Sequence, residues 1–158
     1  MAQPAVAGFA DRTALDRPSL TLTRRFRARP EKVWSAWTDP ETLIGWFCTA
    51  KAKPGTMRAD LDVRVGGRYR VSFEMESSGE YSEVGGVYRE VVPNEKLVFS
   101  WAWHSTPERE SLVTVSIRPD AAGSLMVFTH EQFFDKAARD SHAKGWDELF
   151  GHLETLLS

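Results

Sequence analysis

Apolar residues recur at two different periods along this chain, and the change of period divides it into elements. From Lys136 to Leu157 (KAARDSHAKGWDELFGHLETLL), Ala143, Trp146, Leu149, Phe150, Leu153, Leu156 and Leu157 fall at steps of three and four. That spacing lays an apolar stripe along a helix of about five or six turns, with Lys144, Asp147, Glu148 and Glu154 mostly off it. Asp135 stands just before the helix, where a carboxylate accepts from the first free backbone N–H groups. A helix this amphipathic must cover an apolar surface, and nearly everything between Ser19 and Phe134 reads as strand. The pattern predicts an α+β fold. A curved antiparallel sheet of about six or seven strands is wrapped on one long C-terminal helix, with two short helices after the first strand.

In chain order, Ser19 to Ala28 alternates, with Leu20, Leu22, Arg24 and Phe26 on one side. Arg24 is the misfit on that side. The arginines of this strand are read as a solvated face or edge that deters unwanted strand pairing, rather than as a phosphate-binding patch. Pro30 opens a short helix with Val33, Trp34 and Trp37 on its apolar side. Asp39-Pro40 breaks it, and Pro40 to Phe47 reads as a second short helix capped by Asp39. Neither helix has the basic face a DNA-binding helix-turn-helix needs.

Met57 to Val65 is predicted as a strand turning tightly at Gly66-Gly67 into Arg68 to Met75. There Tyr69, Val71, Phe73 and Met75 alternate with Arg68, Arg70, Ser72 and Glu74, the period of a sheet with one buried face. Glu83 to Val92 follows, with Gly85-Gly86 predicting a bulge or strong bend. Leu97, Phe99, Trp101 and Trp103 alternate along the next strand, and Ser111 to Ile117 and Gly123 to Phe134 complete the sheet.

At 158 residues the chain is expected to form one domain over 19–158 behind a flexible tail over 1–18. Its six Trp and nine Phe supply enough flat apolar surface to fill a core or line a pocket, whereas a net charge of −2 gives no pull towards nucleic acid or anionic membrane. Cys48 is the only cysteine, which excludes an intrachain disulfide and fits a reducing cytoplasm. The first eighteen residues lack the basic start of a signal peptide, and no apolar run is long enough to span a bilayer. The expectation is a cytoplasmic protein.

Candidate chemistry is sparse. His142 and His152 are ten residues apart on the predicted helix, too far for one metal site. His104 and His130 come from separate strands, each near an aromatic run, and could orient a polar ligand group or move a proton if both faced inwards. Cys48 beside Phe47 reads as a small buried hydrophobe. No Gly-x-Ser-x-Gly elbow exposes a serine, and the paired glycines lack the context of a phosphate loop. The reading is therefore no catalytic residues, no metal and no cofactor.

The landmarks carry a resemblance. They are ProGluLysValTrpSerAlaTrpThrAspPro (30–40), Trp46-Phe47, ValGlyGlyArgTyrArg (65–70), GlyValTyrArgGluValValProAsnGluLysLeuValPheSerTrp (86–101) and Gly145-Trp146. In this order, over about Leu20 to Leu157, the chain resembles the START-related SRPBCC superfamily. Within it, the chain looks like homologues of the activator of heat-shock protein 90 ATPase. The resemblance implies the helix-grip fold of START-like and Bet v-like proteins. It also implies a cavity between sheet and final helix that takes lipids, polyketides, hormones or other hydrophobic molecules. A few superfamily members are cyclases or hydrolases. The eukaryotic co-chaperones join this domain to a separate chaperone-binding domain, for which this sequence has no room, so ATPase activation is not carried over.

The expected cavity-lining residues are Trp46, Phe47, Met57, Phe73, Met75 and Tyr88 in the first half of the chain. Trp101, Trp103, Phe128, Trp146 and Phe150 continue the set, with Arg70, His104 and His130 as polar anchors. Each aromatic among them would equally suit a packed core. Gly145 and Gly151 imply close backbone packing or room beneath the helix, since a helix-interior glycine otherwise costs about 1 kcal/mol against alanine. The leading expectation is a binder of a small hydrophobic or aromatic molecule. The alternatives are a cyclase- or hydrolase-type enzyme using a cavity histidine or carboxylate, and a chaperone-associated interaction protein. Self-association as a homodimer is left open.

Overall fold

The computed structural model describes residues 17–48 and 50–158. The tail expected over 1–18 lies, for residues 1–16, outside the described residues. Ten elements follow in order: β1 (Leu20–Phe26), α1 (Pro30–Thr38), α2 (Pro40–Leu43), β2 (Arg58–Leu61), β3 (Arg68–Glu74), β4 (Tyr81–Val92), β5 (Lys96–Trp103), β6 (Ser111–Asp120), β7 (Gly123–Glu131) and α3 (Lys136–Leu157). The seven strands form one antiparallel sheet in the order β1-β7-β6-β5-β4-β3-β2. Strands β2 to β7 meander, each pairing with the next, while β1 returns to the far side of β7.

The caps are those the sequence predicts. Asp135 Oδ1 accepts from Ala138 N at 2.8 Å, and Asp39 Oδ2 accepts from Thr42 N at 3.1 Å. Several elements are shorter than predicted, among them β7, which ends at Glu131 rather than Phe134. The helix after Pro40 ends at Leu43, and 44–47 continue as hydrogen-bonded turns that tuck Trp46 and Phe47 into the core. Strand β2 ends at Leu61 because Asp62 to Gly67 closes into a turn through Arg64 N–Asp62 O and Gly67 N–Arg64 O contacts, with Gly66 at φ +86°. The irregularity expected at Gly85-Gly86 lies further on, where Arg89 is the extra residue between Tyr88 and Glu90. What Gly86 provides is close approach, since a Cβ there would sit 2.1 Å from the carbonyl oxygen of Ser100.

The face of the sheet turned to α3 is apolar, and α3 lies on it through Trp146, Phe150 and Leu153, all buried. Helix α1 adds Val33, Ala36 and Trp37. The rings meet at the centre: Phe128 stands 4.6 Å from Trp146, 4.9 Å from Phe150 and 5.9 Å from Trp37. Arg24, the misfit of β1, does point towards the helix, where its guanidinium pairs with the Asp147 carboxylate. Among the described residues no helix is long and apolar enough to cross a membrane.

Candidate functional site

Two hydrogen-bond chains fix the side chains between sheet and helix. The Trp146 indole can only donate, and its Nε1 lies 3.1 Å from His130 Nδ1. His130 therefore carries its proton on Nε2 and donates to Ser111 Oγ at 2.7 Å, which in turn donates to the Trp101 carbonyl at 3.2 Å. In the second chain Trp103 Nε1 donates to His142 Nε2 at 3.1 Å, so His142 Nδ1 is the protonated nitrogen and donates to Ala138 O at 2.8 Å. Both imidazoles are held neutral. Burial, helped by nearby His142, pushes His130 down to about 2, and burial also lowers His142.

Beside these chains lies a pocket of about 290 Å³. Its sheet wall consists of Phe73, Met75, Ser82, Trp101 and Trp103. Its helix wall runs from Ser141 and His142 past Gly145 and Trp146 to Glu148, Leu149 and His152. The third wall is the segment after α2, contributing Phe47, Cys48, Ala50 and Lys51. That segment is pinned to the end of β3 by an Ala52–Met75 bridge and by the Lys53 N–Glu74 O and Glu76 N–Lys51 O hydrogen bonds. The four buried residues of the pocket are Phe47, Phe73, Trp101 and Trp146, while Lys51, Ser141 and Glu148 are exposed at its rim. The result is an aromatic recess with a polar mouth. Cys48 sits in the wall with its thiol pushed up to about 12 by burial.

Of the residues expected to line a cavity, this pocket brings together Phe47, Phe73, Met75, Trp101, Trp103 and Trp146. Tyr88 lines instead a crevice of about 20 Å³ deeper in the core, which it shares with Trp37, Phe47, Phe99 and Trp101. Trp46, Phe128 and Phe150 are core: they are fully buried, and Trp46 Nε1 donates to Ala36 O at 2.9 Å. Met57 packs half-buried against that core. His130 is walled off by the partners that hold it. Arg70 follows the strand alternation to the outer face and pairs with Asp60 at 2.9 Å, and His104 stands exposed just past β5. Neither outer group reaches the pocket.

Sequence reasoning missed Cys48, Ala50, Lys51, Ser82, Ser141, His142, Glu148, Leu149 and His152 as pocket lining. For His142 a signal existed, since it lies four residues before Trp146 and three before Gly145, on the same helical face. The segment 47–51 carries no such signal, because its position depends on pairing with Met75, far away in sequence. Of the two readings of the helix glycines, close backbone packing fails: a Cβ at Gly145 or Gly151 would meet nothing within 4 Å. Gly145 borders the pocket and Gly151 does not. Among the described residues no group of three or more His, Cys, Asp or Glu is placed to hold a metal ion.

The profile of the family described as activator of Hsp90 ATPase homolog 1-like protein matches residues 27–158. Solved structures of similar shape include a Chromobacterium violaceum protein at 25% identity, covering 89% of this chain and 97% of that one, with a TM-score of 0.75. An uncharacterised Rhizobium leguminosarum protein is similar at 24% identity, with 90% and 95% covered and a TM-score of 0.73. CalU16 from Micromonospora echinospora is similar at 22% identity, with 90% and 77% covered and a TM-score of 0.67. No curated protein matches.

Proposed function

The chain belongs to the activator of Hsp90 ATPase homolog 1-like family, and from that premise we propose that it binds a small hydrophobic or aromatic molecule in the pocket between sheet and helix, without catalysing a reaction on it. One observation carries the reading: about 290 Å³ of space walled by Phe47, Phe73, Trp101 and Trp146 and opening past a polar rim. That volume is at the small end for a ligand site and suits a compact molecule of two or three rings. Catalysis through His142 or His130 is the weaker reading, because both ring nitrogens of His142 are already engaged and His130 is sealed behind Trp146. Association with a chaperone rests on the family's description alone. The large exposed apolar residues Val65, Tyr81, Val92, Phe134 and Leu156 come from separate parts of the fold rather than one element.

Native mass spectrometry of the purified protein, followed by a thermal-shift screen of two- and three-ring aromatics and of lipids, tests the proposal. The melting temperature is expected to rise with ligand concentration. Gly145→Phe, which directs a ring into the pocket from an open helical position, should abolish that rise while leaving the protein folded. A screen without any response, or a response unchanged in Gly145→Phe, would overturn the assignment.

A further inference from the structure

The polar groups of the pocket differ in whether they are free to meet a ligand. At the aromatic base they are not. The Trp146 and Trp103 indoles donate to His130 and His142, the other ring nitrogen of His142 donates to Ala138 O, and the Trp101 N–H is closed off from the space. Cys48 keeps its proton, and a neutral thiol is only a weak donor. His152 is already engaged. An ionised ligand group at the base would therefore be desolvated without a counter-ion.

Polar recognition falls to the mouth, where the side chains of Ser82, Ser141, Lys51 and Glu148 have no hydrogen-bond or ion-pair partner among the described residues. The two hydroxyls donate and accept alike, so they select no charge. Lys51 and Glu148 select opposite charges, and they are not placed alike. Glu148 lies two residues from the buried Trp146 and two from the buried Phe150, which sets it about 160° round the helix from each. Its carboxylate edges the mouth from the solvent side. Lys51 belongs to the pocket wall itself, where its N–H donates to Cys48 O at 3.1 Å and its carbonyl accepts from Glu76 N at 2.9 Å. Its positive charge pulls against the burial of the Cys48 thiol, so its field reaches the interior. From that anchored backbone the four-carbon stem can lie along the apolar wall while the ammonium stays in water.

Resting on the pocket reading above, we propose that the ligand is an aromatic carboxylate, held with its rings against Phe73, Trp101 and Trp146 and with its carboxylate at the mouth on the Lys51 ammonium. Lys51 is thereby the residue that sorts acids from neutral and cationic compounds of the same shape.

Probes built on the indane ring system separate this charge from general apolar fit: indane-2-carboxylate, its neutral carboxamide, and 2-aminoindane as the ammonium ion. Titration calorimetry near neutral pH gives their affinities for the wild type, Lys51→Met and Glu148→Gln. The wild type is expected to bind the carboxylate most tightly. Lys51→Met removes the charge at an exposed position and keeps the backbone contacts. It should lower the carboxylate-to-carboxamide affinity ratio by about three- to tenfold, the range from an exposed ion pair to a charge-assisted hydrogen bond. Glu148→Gln should change that ratio by less than about twofold. In the wild type, added salt should weaken the carboxylate more than the carboxamide, a reading that needs no variant. A ratio unchanged in Lys51→Met, a larger change in Glu148→Gln, equal salt dependence of the two probes, or a preference for the ammonium would overturn the carboxylate assignment and leave the pocket reading standing. Failure of all the probes to bind the wild type would overturn both together.

Discussion

Trp146 of α3 donates its indole N–H to Nδ1 of His130 on β7 across 3.1 Å, and this contact fixes the rotation of the long helix on the sheet. Both partners are buried, at 2% and 0% exposure. Trp146→Ala should cost about 3–5 kcal/mol, through the lost ring contacts and the cavity left behind. Trp146→Phe keeps most of the volume but strands the His130 acceptor, for a loss of about 1–3 kcal/mol. Urea unfolding of both variants measures the difference. A loss below about 1 kcal/mol for the alanine variant would mean that the helix does not sit in this register.

The same histidine makes stability depend on acidity. His130 is lowered from 6.5 to about 2, so between those values the unfolded chain binds a proton that the folded protein refuses. Stability is complete above about pH 6.5 and falls as pH drops towards 2, by up to about 1.4 kcal/mol per pH unit. His142 is shifted the same way and adds to the slope. Between about pH 7.5 and about pH 5, His130 alone should account for roughly 2 kcal/mol. His130→Gln, which cannot titrate, should lose that part of the slope in urea midpoints at the two pH values. Parallel slopes in variant and wild type would refute the neutral, buried assignment.

Much of this architecture was legible because it is periodic. The stripe through Trp146, Phe150 and Leu153 and the alternation of Tyr69, Val71 and Phe73 are local signals with one geometric meaning each. Alternation puts the misfit Arg24 on the side of Leu20 and Phe26, but the reading of this strand's arginines as a solvated face misses its pairing with Asp147, which joins opposite ends of the chain. The site was half legible for the same reason. Alternation identifies Phe73, Trp101 and Trp103 as inward, yet it cannot separate rings that fill the centre, such as Phe128 and Phe150, from rings that border space. That distinction depends on where α3 and segment 47–51 settle. Composition could not show it.

Glycine positions on α3 offer a separation of stability from binding. Gly145 and Gly151 are both helical with open space at the Cβ position, so alanine at either should stabilise by about 0.5–1 kcal/mol. Gly151 lies away from the pocket, and Gly151→Ala should leave ligand affinity untouched. Gly145 borders it, so Gly145→Ala should gain similar stability while altering affinity. By contrast Gly86→Ala, whose methyl would meet the Ser100 carbonyl at 2.1 Å, should destabilise by about 3 kcal/mol. Equal effects of the two helix variants on binding would show that the pocket does not reach Gly145.

Cys48 reports on the third wall of the pocket. Its thiol is pushed from 9.0 to about 12 by burial, against a smaller opposing pull from Lys51, so its thiolate fraction near pH 8 is roughly a thousandfold below that of an ordinary thiol. Alkylation by iodoacetamide proceeds through the thiolate, and Cys48 should react about three orders of magnitude more slowly than a free thiol at the same pH. Because Cys48 lines the pocket, saturating indane should slow it further. Mass spectrometry over a time course reads both effects directly. Reaction at the free-thiol rate would mean that segment 47–51 leaves the sheet on the timescale of the experiment, and with it the Lys51–Glu76 and Lys53–Glu74 contacts that close this side of the pocket.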